Sequence, residues 1–164
     1  MIRHKKIPEV IMELFPLATI LLAIALLIYT IMPAPIKFLY SLKPAKDVSK
    51  LGPQELVKTY YKSLEKGDIS TAKACLSNEY RAEVERADYS DLKNLTGLEI
   101  IRISKPANIP LYKKNYREVQ IVAEYSASYW RMGPEVSGKE IRFIYVGKKT
   151  QDSPWKIIGI GCGP

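Results

Sequence analysis

Tyrosine dominates the aromatic residues that could do chemistry, with eleven Tyr against three Phe and two Trp, beside two Cys and one His. A tyrosine hydroxyl donates a hydrogen bond or a proton while its ring walls a pocket. Tyr60, Tyr61, Tyr125, Tyr129, Trp130, Tyr145 and Trp155 all fall in or beside strongly patterned segments, and these seven are the candidate lining of an interior pocket. Acid–base work would also need a carboxylate turned inward with a raised pKa. The strand-borne candidates, Glu118 and Glu124, both lie on the polar side of their alternation. The pattern therefore reads as an aromatic core with solvated acids, and no catalytic residue is assigned. The only histidine, His4, lies in the N-terminal tail, and two cysteines are too few for a four-ligand zinc site or a disulfide scaffold. Neither a metal nor a cofactor is expected.

The elements that must hold these residues begin with two apolar helices. In "GPQELVKTYYKSLEKGD", Pro53 suits a first helical turn and Gly67 a left-handed stop. Leu56, Val57, Tyr60, Tyr61 and Leu64 share one face. A second helix follows at once, capped by Asp68 or Ser70, with Ile69, Ala72, Cys75 and Leu76 inward. The stretch "NEYRAEVERADYSDLKNL" predicts more irregular helix with a charged outer face. The period then changes to two, and "LEIIRIS", "EVQIVAEYSASYW", "EIRFIYVG" and "WKIIGIG" read as strands. In the second, Val119, Ile121, Ala123, Tyr125, Ala127 and Tyr129 share a face, and Glu118, Gln120, Glu124, Ser126 and Ser128 share the other. Helices first, strands afterwards and hairpin-sized links predict an α+β domain with an antiparallel sheet. The glycines of the last strand predict a sharp bend or a close helix approach, and Trp155 at its start predicts a large buried ring.

Ahead of the domain, Leu14 to Met32 contains no charged residue over a length that spans a ~30 Å hydrocarbon layer as a helix. The run is too long for a cleavable leader and reads as an uncleaved anchor. Arg3, Lys5 and Lys6 precede it, which places the N-terminus in the cytoplasm and the bulk of the chain outside. Residues 1–13 are then a tail, 14–32 a transmembrane helix, 33–50 a stalk and 51–164 an extracytoplasmic domain. Phe38 and Tyr40 of the stalk rest at the headgroups or pack on the domain.

The helix "LVKTYYKSLEKGD", the immediate second helix "ISTAKACL" and a sheet closing on "PWKIIGIG" resemble the nuclear transport factor 2-like superfamily, the cone fold of ketosteroid isomerase, scytalone dehydratase and the SnoaL-like proteins. More narrowly, "YYKSLEKGD" and "SPWKIIGIGCGP" resemble a bacterial, mostly Firmicute branch, domain of unknown function 4829. The resemblance covers roughly Leu51 to Pro164. It implies a helical hairpin on a curved antiparallel sheet, export and tethering at the cell surface, and dimerisation through the open sheet face. It supplies no catalytic residue.

The formal charge of +8 favours an anionic partner. Lys113, Lys114, Lys148 and Lys149 in loops, with Lys37, Lys43 and Lys46 in the stalk, face anionic lipid, a wall polymer or only solvent. An outside location disfavours nucleic acid. "NLT" at Asn94–Thr96 is a chance triplet. Cys75, on the inner face of the second helix, and Cys162, grouped with Ile158 and Ile160, would bridge if the hairpin covers that strand face. A one-residue slip near the glycines separates them instead. Three functions fit: a module binding a protein partner or small apolar ligand, a cone-fold lyase or isomerase, and a structural spacer.

Overall fold

The computed structural model describes residues 19–24, 43–130 and 137–162. Two units make up the chain, Met1–Pro35 and Ile36–Pro164. Of the expected span Leu14–Met32, only residues 19–24 are described, and they are helical. Among the described residues, no helix is long and apolar enough to cross a membrane. His4, Lys37, Phe38 and Tyr40 lie outside the described residues.

Residues 46–48, ahead of Leu51, pack on the rest of the second unit. Val48 is 4% exposed and part of the core, and the Lys46 amide donates to Thr71 Oγ1 at 3.0 Å. Helix α1, Pro53–Glu65, starts on its proline and buries Leu56, Val57, Tyr60, Tyr61 and Leu64 as the pattern requires. Each large side chain removed from water contributes about 1.5–3 kcal/mol. Gly67 ends the turn at φ 71°, in the left-handed region that glycine adopts without strain. Asp68 caps α2, Ile69–Cys75, by accepting from the Thr71 amide. Helix α3, Asn78–Arg86, is capped by Ser77, and the short α4 covers Asp91–Asn94.

The strands are β1 (Leu95–Ile103), β2 (Arg117–Tyr129), β3 (Gly138–Lys148) and β4 (Lys156–Gly161), forming one antiparallel meander in the order β1-β2-β3-β4. The α+β prediction is correct. Strand β1 starts three residues before the predicted Leu98, because β2 runs long enough for Leu95 to pair with Tyr129. Helix α1 packs on α2 and β1. Beneath it lie Val119, Ile121, Ala123, Tyr125 and Ala127 of β2, all at most 5% exposed, with Ile144 and Val146 of β3.

Strand β4 changes face at an irregularity. Ile157 pairs with Val146, the register shifts, and Ile160 then pairs with Ile144. Ile157 and Ile160 therefore join the core, while Ile158 points to the opposite face, where its Cδ1 lies 3.2 Å from where a Cβ on Gly147 would stand. Of the two alternatives for Cys75 and Cys162, the structure has two free thiols, Cys75 buried and Cys162 exposed, and distance along β4 keeps them apart, since Cys162 shares the face of Ile160 and contacts Arg142. Leu76, next to Cys75, bridges Ile157 at the start of β4. Cys162 lies five residues farther on, roughly 16 Å along a strand, well beyond the ~7 Å a disulfide spans.

Candidate functional site

The seven predicted aromatic residues do not form one wall. Four come together under α1. The Tyr60 and Tyr61 rings meet edge-on at 5.2 Å, and Tyr61 tilts against Tyr125 at 4.9 Å. Tyr129 continues the same β2 face, and the hydroxyls of Tyr61, Tyr125 and Tyr129 are buried without a hydrogen-bond partner. The other three stand elsewhere. Trp130 is 49% exposed. Tyr145 lies on the opposite sheet face, where its hydroxyl accepts from Gln120 Nε2 at 2.8 Å. Trp155 is half-buried at the sheet margin, with the Lys148 ammonium at 5.7 Å and the Arg117 guanidinium at 6.0 Å from its ring. Trp155 packs against the core as expected but keeps part of its ring in solvent.

Two residues not assigned from the sequence adjoin the tyrosine cluster. Arg142 on β3 is 8% exposed, pairs with Glu140 at 3.2 Å, and donates through Nη1 to the Cys162 sulfur. Asp91, at the start of α4, is close enough for its charge to act on Tyr60, Tyr61, Tyr125 and Tyr129. Burial, then the Asp91 charge, pushes the Tyr125 hydroxyl up to about 12, with Arg142 pulling the other way. Burial also raises Tyr60, Tyr61 and Tyr129. The cluster is thus neutral and donor-capable at physiological pH. A sequence signal for Arg142 existed, since it alternates with Ile144 and Val146. It was obscured because Ile141, Phe143 and Tyr145 form an equally apolar second row.

The opposite face corrects the expectation that the strand acids are solvated. Residues 104–116 follow β1, bond to β2 through reciprocal 2.8 Å backbone contacts between Ala107 and Gln120, and then lie over the sheet. Beneath them Glu118 is only 4% exposed. Its carboxylate accepts from the backbone amides of Tyr112, Lys113, Lys114 and Asn115 and from Asn115 Nδ2, at 2.6–3.3 Å. Burial would raise this carboxyl, but the hydrogen bonds from Tyr112, Asn115 and Lys113 outweigh it and hold the pKa at about 2. The carboxylate also holds Lys113 in the left-handed region, at φ 54°, a conformation unfavourable for a residue with a Cβ. Glu124, farther along, makes a two-pronged pair with Arg102 at 2.9 and 3.1 Å, which lowers its pKa.

The loop lies close because the sheet carries glycines beneath it. A Cβ on Gly159 would come within 2.7 Å of Leu111 Cδ2, and one on Gly147 within 3.2 Å of Asn115 Nδ2. The predicted close approach at the last strand is therefore made by a loop rather than by a helix. The loop's far edge, the first turn of α3 and the start of β4 enclose a groove of about 600 Å³. Leu76, Gly147 and Ile158 line it, with Tyr80 and Tyr112, and five cationic side chains against two acidic ones. None of the seven predicted aromatic residues lines it. Lys114 and Lys149 do, whereas Lys148 is turned to Trp155. Among the described residues, no group of three or more His, Cys, Asp or Glu is placed to hold a metal ion.

A family model, Domain of unknown function (DUF4829), matches residues 54–161. The chain belongs to the DUF4829 family. No curated protein and no solved structure matches it. The matched residues run from α1 to the end of β4, so the tyrosine cluster, the Glu118 clamp and the groove all lie inside the DUF4829 domain.

Proposed function

We propose that this DUF4829 protein is a single-pass membrane protein whose extracytoplasmic domain, of the nuclear transport factor 2-like cone type, binds a ligand or protein partner without catalysis. The observation that carries the reading is the fate of the two strand carboxylates. A cone-fold lyase or isomerase needs an inward carboxylate with a raised pKa. Glu118 and Glu124 instead have lowered pKa values and are committed to a loop and to an arginine. Helices preceding an antiparallel meander support the cone resemblance, and the charge-free run Leu14–Met32 supports the tether. Exposed Ile101 and Ile141 are consistent with dimerisation through the sheet.

A membrane-impermeant crosslinker applied to intact cells, followed by capture of the full chain, tests the reading. Specific surface neighbours are expected, and recovery of background alone sinks it. Exposed Cys162 offers a topology check, since an impermeant maleimide should label it before lysis. Labelling only after lysis overturns the orientation.

The second reading, an enzyme, has one observation in its favour: three buried tyrosine hydroxyls without partners beside Arg142 and the charge of Asp91. It requires Asp91→Asn and Tyr125→Phe to abolish turnover of some substrate while leaving the fold intact.

A further inference from the structure

The groove differs from an ordinary solvated surface in combining three things: a concave volume open on one side, an apolar floor and an excess of positive charge. Its acids do not cancel that charge. Glu79 is taken up by Lys149 at 2.6 Å, and Lys73 pairs at 2.9 Å with Glu85. Glu83 is the second acid of the lining. Against it stand Arg81, Lys114 and Lys156. Lys156 donates to the Ala74 carbonyl, a neutral partner, and Asp47 lies within electrostatic reach of it. Lys114 stands 6.0 Å from the Tyr112 ring centroid. The first turn of the nine-residue α3 opens on the same space, adding the positive end of a helix dipole. Ammonium groups act as point charges with several donors each and suit an oxyanion with many acceptor oxygens. The rings of Tyr80 and Tyr112 and the Ile158 side chain suit something apolar beside it.

We propose that this groove binds a phosphate-class anion bearing an apolar or ring-containing group, with Arg81, Lys114 and Lys156 holding the anion and Tyr80, Tyr112 and Ile158 holding the remainder. The assignment rests on the reading of the domain as a binding module. It concerns a surface the tyrosine cluster does not share. A lipid headgroup and a soluble organic phosphate present the same chemistry.

Calorimetric titration of the full chain in neutral detergent tests the proposal with phenyl phosphate, inorganic phosphate, and dihexanoyl phosphatidylglycerol below its micelle concentration. Phenyl phosphate should bind at least fivefold more tightly than inorganic phosphate, and binding should weaken with salt. Arg81→Glu with Lys114→Glu should reduce affinity at least tenfold at unchanged melting temperature, and Tyr112→Ala should remove the preference for the phenyl group. Tighter binding of the phosphatidylglycerol than of phenyl phosphate assigns the source to lipid; the reverse order assigns it to a soluble phosphate. Absence of binding by all three probes, or binding indifferent to the double substitution, overturns the groove assignment. If surface partners are still captured in that case, the binding-module reading stands with its site elsewhere; if none are captured, both fall.

Discussion

The two faces of the sheet are covered by different means. On one, α1 and α2 bury Val119, Ile121, Tyr125 and Ile144 chiefly through area and shape, with directional bonds only at the margin, from Gln54 to the end of β1 and from Lys156 to α2. On the other, a loop without regular secondary structure is tied at its start by the Ala107–Gln120 backbone bonds, held down at its far end by one carboxylate and admitted by two glycines. The first cover is distributed over many side chains, so no single contact decides it. The second is concentrated, and Glu118 alone serves four consecutive amides. Non-directional burial tolerates change in proportion to volume, whereas a clamp fails when its one charged group is altered.

That contrast can be broken at several points. Ile121→Ala on the helix face should cost about 2–5 kcal/mol through lost burial and the cavity left, read from the denaturant midpoint; a cost below about 1 kcal/mol would mean the helices settle onto the space. Glu118→Gln on the loop face should cost roughly 2–3 kcal/mol, since a neutral amide replaces a charged acceptor of buried amides. The acid dependence fixes the sign. A carboxyl near 4.5 when unfolded and about 2 when folded contributes stability that is complete above pH 4.5 and is lost as the pH falls toward 2. The wild-type protein should lose this increment across that window, and Glu118→Gln should lose less there. Equal acid slopes for the two proteins would remove Glu118 from its role.

Gly159→Ala should cost about 1–2 kcal/mol by pressing a methyl on Leu111, and adding Leu111→Ala should recover part of it; strict additivity of the two changes would show that they do not touch. Trp155→Ala should cost about 1–2 kcal/mol in a melt, less than for a fully buried ring, because the ring is only partly buried against the core. Smallest, Tyr125→Phe removes a buried hydroxyl without a hydrogen-bond partner and should change stability by under about 0.5 kcal/mol. A larger loss would reveal a bond that the hydroxyl makes to Arg142.

The helix-covered face was legible because its pattern is local. The alternation of β2, the five apolar positions of α1 and the Asp68 cap each follow from neighbours within a few residues. The loop-covered face was not. Alternation told which side Glu118 occupies but not what lies above it, and the loop that buries Glu118 has no period of its own. The groove draws on α3, β4 and the 112–115 turn, three segments whose meeting no local pattern encodes. Ile158, grouped by alternation with Ile160, is turned to the loop face by a single irregularity in β4, while Cys162 keeps the Ile160 face but lies too far along the strand from Cys75 to bridge it. Asp91 reads as a helix-start acid, and only the fold brings it to the tyrosines.

Val48 gives the domain a mechanical property. With its side chain in the core and the Lys46 amide bonded to Thr71 of α2, tension applied through the chain N-terminal to Lys46 meets this short latch before it reaches α1. The load is shared with α2, whose end is joined to β4 through Leu76 and Ile157 and through the Ser77 amide. Pulling at one end of the domain therefore strains a path that ends in the sheet's last strand, and Val48→Ala should lower the force at which the domain yields more than its modest loss of volume lowers the melting temperature.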